Sequence, residues 1–341
     1  MIKVDGFVEK GKILGQYINS TVDLFITGIS SEERCPKGWQ MLKEEDIKIK
    51  NKVIFYFKEV IKGFKQEGVE NPQEYFDTLF DIGSGDCKLT VSLYDEITGL
   101  MELEKYLNES FSELKVKKIV IDFSIMIKPY IFVLLKYLLC ERNMEKIYLL
   151  YTEPASYHKL KLKKVPKNNN QEDSEYFTKG TVKIGEVPTY SGKRELTKKS
   201  ALVVLLGFEG ERAVQVFNEV SPDLTIPVNG FPAYRPEFKD LSILSNEELL
   251  KDSEIMKELT YAPANDPFET KKTLEEIYSK HSDNYNISVS PLGTKPMAIG
   301  SCLFALEHSD IRIIYPYPIE YNIKSSKGFG ETWNYIVSIL R

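Results

Sequence analysis

Cysteine, histidine and tryptophan are scarce in this 341-residue chain, at four, three and two residues. The cysteines (Cys35, Cys87, Cys140 and Cys302) lie far apart with no C-x-x-C spacing. That excludes a disulfide framework and a zinc ribbon, and it fits reduced thiols in a cytoplasmic protein whose N-terminus carries no signal peptide. The histidines (His158, His281 and His308) lack metal-ligand spacing, so no metal site is expected. Long apolar runs are missing too. The longest, YIFVLLKYLLC from Tyr130, covers 11 residues and contains Lys136, so it reads as a buried helix and not a membrane span. Basic excess is absent: 45 Lys and Arg against 50 Asp and Glu give a net charge of −5, which argues against a broad coating of DNA. No GxxxxGK[ST] phosphate loop is present.

What is present is apolar enough, at 42 %, for packed cores, and the length suits two domains. Strand-like runs occur at 23–28, 52–57, 117–124 and 145–152, and again at 201–207, 223–229, 286–291 and 311–316, with helical stretches between them. Short continuous apolar runs of this kind predict an α/β fold: two Rossmann-like halves with mainly parallel sheets. The polar, asparagine-rich stretch 159–180 reads as a linker, which places a first half at 1–158, a linker region at 159–198 and a second half at 199–341.

The two sets of runs carry matching motifs in the same order, which predicts an internal duplication. Glu33-Arg34 follows the 23–28 run and Glu211-Arg212 follows the 201–207 run, an offset of 212 − 34 = 178. Lys128-Pro129 and Lys295-Pro296 stand between a strand and a helix, offset by 295 − 128 = 167. YTEPASY (151–157) and YPYPIEY (315–321) both read Y-x-x-P-x-x-Y, offset by 315 − 151 = 164.

All three motifs fall at the carboxyl ends of strands, where open parallel sheets bind ligands. A helix begun by Lys295-Pro296 offers amides and a dipole to an anion, the Thr294 hydroxyl and Lys295 ammonium add donors, and Gly293 permits close backbone approach. A helix start with a solvated lysine is the plainer alternative. Arg34 and Arg212 suit bidentate phosphate or carboxylate contacts, or else local pairing. Tyr151, Tyr157, Tyr317 and Tyr321 could stack on a nucleobase or pack at a strand exit, and Asn322 could read a base edge or cap a turn. In YAPANDPFET (261–270), Asn265 or Asp266 is a natural N-cap before Pro267. No nucleophile–base pair stands out. Glu33, Glu211, Asp122 and Glu209 are the weak acid/base candidates, with Mg²⁺ as the cofactor if catalysis occurs. The apolar segment 331–340 around Trp333 could dock a partner, but is expected rather to pack back on the second half.

SPLGTKPM (290–297) resembles the strand–loop–helix signature of CARF domains, the CRISPR-associated Rossmann-fold sensors. Gly293, Thr294, Lys295 and Met297 match it and Leu292 replaces its first glycine, while the first half keeps only Lys128, with Ile125, Met126 and Ile127 in place of the loop. The segments GFEGER and YPYPIEYN also resemble an uncharacterised bacterial protein family. The CARF resemblance implies a fused tandem pair binding a nucleotide or oligonucleotide second messenger in a pseudo-twofold pocket, in bacterial antiviral defence, with an effector protein as partner. A nuclease, phosphodiesterase or nucleotide glycohydrolase on the same scaffold, and an interaction subunit without a small ligand, are the alternatives.

Overall fold

The computed structural model describes residues 3–11, 14–18, 21–111, 116–157, 178–322 and 326–340. The chain divides into two compact units, one formed by residues 3–157 with 326–340 and the other by residues 178–322. The first repeat contributes strands β1 (Lys3–Lys10), β2 (Thr21–Gly28), β3 (Lys48–Phe57), β4 (Cys87–Val91), β5 (Ile119–Asp122), β6 (Lys146–Thr152) and β7 (Ser156–Tyr157). Two strands follow, β8 (Thr178–Lys179) and β9 (Lys183–Glu186). The second repeat runs β10 (Lys199–Leu205), β11 (Leu224–Gly230), β12 (Thr260–Ala262), β13 (Tyr285–Pro291), β14 (Arg312–Tyr317) and β15 (Glu320–Tyr321), and the chain closes on β16 (Ser326–Lys327) and β17 (Thr332–Leu340).

All eight strand-like runs form strands, and they are parallel within each sheet. The sheet of the first unit has seven strands in the order β1-β17-β6-β5-β2-β3-β4, and that of the second has six in the order β12-β11-β10-β13-β14-β9. Counting each parallel set in chain order, both read 3-2-1-4-5, the doubly wound arrangement. Strand centres are buried on both faces. Val22, Leu24, Phe25 and Ile26 of β2 and Ala201 to Leu205 of β10 show almost no exposure, as continuous Val/Ile/Leu runs under two helical layers require. The duplication read from the motifs is thus present in the topology as well.

The expected boundary at 199 and the expected docking of the C-terminal segment need correction. Strand β17 does not pack on the second repeat. It lies antiparallel between β1 and β6 in the sheet of the first, with Tyr335 facing Leu149 and Val337 facing Ile147. Part of the expected linker, β9, is likewise the antiparallel edge strand beside β14 in the second sheet, Ile314 facing Glu186. Each repeat therefore ends in a two-strand arm, β8–β9 after the first and β16–β17 after the second, and each arm completes the sheet that the other repeat builds. The arms match in sequence: Thr178-Lys179-Gly180 and Ser326-Lys327-Gly328, with both glycines at left-handed φ values of 56° and 64°. Of the stretch read as a linker, residues 159–177 lie outside the described residues, as does His158.

Candidate functional site

The helix Lys295–Glu307 starts at the carboxyl end of β13, directly beside β10, where the strand order reverses. Its N-cap is Thr294, at φ −66° and ψ 165°. The Thr294 hydroxyl accepts from the Met297 amide at 3.3 Å and donates to the carbonyl of Ala264, in the loop after β12. That hydroxyl is therefore a cap and a tie, with its proton committed inside the fold. Pro296 follows at the start of the helix, and every residue from Pro296 to Ala305 is buried. The half-buried Lys295 is the one charged residue at this end of the helix.

Gly293 allows close approach, but between two loops of the same sheet. A Cβ there would stand 2.9 Å from Met297 Sδ and 3.3 Å from the Leu206 carbonyl. At Gly207 a Cβ would stand 2.3 Å from the Leu292 carbonyl. The first repeat reproduces the corner. A Cβ at Gly28 would stand 2.7 Å from the Phe57 ring and 3.0 Å from Ile125 Cδ1, and the helix Lys128–Lys136 begins after Ile127 at φ −74° and ψ 151°. Pro129 takes the place of Pro296, and Lys128, also half-buried, that of Lys295. What the first corner lacks is the hydroxyl cap.

The two arginines lie in a doubled cluster that holds the arms. In the first unit Arg34 Nε donates to Glu32 at 2.9 Å, its Nη1 donates to the Thr152 carbonyl at 2.9 Å, and its guanidinium stands 5.8 Å from the Tyr151 ring. The Ser326 hydroxyl, from the arm, donates to the same Glu32 carboxylate, and Ser326 pairs with Tyr157 across β16 and β7. In the second unit Arg212 Nη1 donates to Glu209 at 2.8 Å, Nη2 donates to the Pro316 carbonyl, and the guanidinium stands 5.1 Å from the Tyr315 ring. Thr178 of the other arm donates to Glu209 and pairs with Tyr321, whose hydroxyl is 3.4 Å from that of Tyr315. Burial works against the charge on Arg34, but Glu32 and the tyrosines beside it hold the guanidinium firmly protonated. The same balance, with Tyr315 and Glu209 as partners, protects the charge of Arg212. Burial pushes the Tyr157 hydroxyl up.

The glutamates of the two Glu-Arg dipeptides are not the arginines' partners. The carboxylates that pair with the arginines are Glu32 and Glu209, two and three residues upstream, because only those sit under the arm hydroxyls. Glu33 instead accepts from the Gly328 amide at 3.0 Å, another tie to the arm. Glu211 is exposed in the first turn of the helix Gly210–Val220, where its charge suits the dipole. Asp122 is 1 % exposed and accepts from both the amide and the hydroxyl of Ser124, while Ser124 accepts from the Thr152 amide at 2.8 Å. Of the four acid/base candidates, Glu209 is thus the partner of Arg212 and Thr178, Glu33 ties the Gly328 amide, and Asp122 holds Ser124.

Tyr317 is buried beneath Lys183, whose ammonium is 4.5 Å from its ring, so it packs the β14–β9 seam. Asn322 is half-buried directly after β15. The N-cap reading of 261–270 holds: Asp266 accepts from the amides of Phe268 and Glu269 at 2.9 and 3.1 Å, and the helix runs Pro267–His281. The signal that sequence reading missed was the repeated Thr/Ser-Lys-Gly, which marks the arms and their hydroxyls.

No protein-family model matches the chain, and no curated protein matches it. Among solved structures it is similar to a putative universal stress protein from Pseudomonas aeruginosa UCBPP-PA14, over 90 % of this chain and 95 % of that one. The identity is 9 % and the TM-score 0.25, a likeness too distant to carry an argument. No helix among the described residues is long and apolar enough to cross a membrane.

Proposed function

We propose that this protein binds a nucleotide or oligonucleotide second messenger at the Lys295 corner, and that it works as a CARF-like sensor in bacterial antiviral defence, passing its signal to an effector protein. The observation that carries the reading is a lysine opening a proline-started, buried helix at the switch point of a doubly wound sheet, repeated at Lys128. Helix dipole and ammonium together favour a phosphate there. Arg34 and Arg212 are tied to Glu32, Glu209 and strand-end carbonyls, so the reading assigns the ligand to the helix starts at Lys295 and Lys128 and not to the arginines. Gly293 and Thr294 support the corner from within.

A thermal-shift panel of mono-, cyclic and linear oligonucleotides tests it. A ligand at a hundred times its dissociation constant adds about 2.7 kcal/mol to the folded state, a rise of several degrees. Binding should weaken in Lys295→Ala. No shift with any nucleotide, or equal shifts in wild type and in the Lys295→Ala and Lys128→Ala variants, would remove the proposal.

A further inference from the structure

The second repeat leaves two aromatic rings in water at the carboxyl edge of its sheet. Phe231, the first residue after β11, is 52 % exposed, and Tyr261 in β12 is 41 % exposed. Their ring centroids are 6.0 Å apart with planes at 72°. Lys239 places its ammonium 5.4 Å from the first ring and 5.8 Å from the second. Arg235, exposed, lies one helical turn before Lys239 and 5.9 Å from the Phe238 ring. Glu237 and Asp240 stand two residues before and one after Lys239 in the helix Pro236–Ser245, spacings that do not share its face.

The platform is tied to the Lys295 corner by hydrogen bonds. Phe231 N–H donates to the Ala262 carbonyl at 2.8 Å, Ala264 N–H donates to the Pro232 carbonyl at 2.9 Å, and Thr294 donates to the carbonyl of that same Ala264. Nothing in the duplicated scaffold demands the rings. At the equivalent edge of the first repeat the residue after β3 is the exposed Lys58 in place of Phe231, and Glu59 links this end of β3 to the segment after β4 by accepting from Ser92 Oγ at 2.6 Å and from the Leu93 amide at 2.9 Å. The second repeat sets two exposed rings and Lys239 together where the first has Lys58, Glu59 and the exposed ring of Tyr94.

We infer that Phe231 and Tyr261 form a stacking platform for a nucleobase of a single-stranded oligonucleotide, with Lys239 and Arg235 facing its phosphates. The occupant follows from the chemistry: flat aromatic faces take a π system and adjacent ammonium and guanidinium groups take a polyanion. This rests on the function proposed above and assigns to it the residues that recognise the base.

The test uses the full chain with linear RNA tetranucleotides carrying 2-aminopurine, whose fluorescence is quenched by stacking, and with inorganic triphosphate as the base-free probe. Replacing both exposed rings (Phe231→Ala with Tyr261→Ala) should weaken tetranucleotide binding about ten- to a hundredfold and abolish the quench. Triphosphate binding should stay at its wild-type level. Lys295→Ala should weaken both probes. Tetranucleotide binding that survives the double ring variant while Lys295→Ala reduces it overturns this inference alone. Failure of the wild type to bind any tetranucleotide overturns it together with the reading on which it rests. Unchanged melting of the double variant separates lost contacts from lost folding.

Discussion

Replacing Arg34 by alanine probes the arm cluster most sharply. Arg34 is 5 % exposed, and its removal takes the guanidinium away from the Glu32 carboxylate, whose side chain is 12 % exposed and which also accepts from the Ser326 hydroxyl. Breaking a buried ion pair from one side costs about 3–5 kcal/mol, because the surviving charge stays desolvated. For a unit of this size each kcal/mol lowers the melting point by roughly 2–4 °C, so a fall of about 6–20 °C is expected by calorimetry. Amide exchange should accelerate first along β17, which the cluster anchors through Ser326. The combination of Arg34→Met with Glu32→Gln should recover more than half of the loss, since removing both charges leaves none stranded. A single-variant cost below about 1 kcal/mol, with β17 protection unchanged, would refute the reasoning.

Three further outcomes follow from the same geometry. Asp23 is partly buried, which alone would raise it, yet hydrogen bonds from Lys50 and from the amides of Lys117 and Lys118 hold its carboxyl below the ordinary range. A depressed carboxylate stabilises the fold above its unfolded pKa, so Asp23→Asn should cost about 2 kcal/mol at pH 7, and the gap should close as pH falls below about 4 in denaturant titrations. Thr294→Val removes a cap and the tie to Ala264, lowering stability by about 1–2 kcal/mol, and Thr294→Ser should restore most of it. Cleaving a protease site inserted between residues 165 and 172 should leave the two fragments eluting together, because β17 stays hydrogen-bonded between β1 and β6; separation without denaturant would contradict the exchanged arm.

Much of the fold was legible because period and burial are local properties. The eight core strands announce themselves as apolar runs, and Asp266 before Pro267 is a local cap signal. What sequence hid was pairing over distance. TWNYIVSIL reads readily as a strand, but its partners lie some 190 and 330 residues away and nothing local selects them. The short polar β8 and the three-residue β12 carry too little apolar pattern to register. At the arginines the dipeptide was the right landmark, but the carboxylates that pair with them, Glu32 and Glu209, also take hydroxyls from Ser326 and Thr178, which nothing local in the sequence reveals. The Lys-Pro corners were legible as helix starts; that Thr294 turns its proton inward to Ala264 was not, because the acceptor belongs to another loop.

The central claim is that an anionic nucleotide seats on the helix that Lys295 opens. Isothermal titration of wild type and Lys295→Ala with the best nucleotide from the thermal-shift panel tests it directly. The account expects a saturable isotherm for wild type, weakened at least tenfold in the variant and sensitive to salt. Equal affinity of the two proteins for that nucleotide would contradict it.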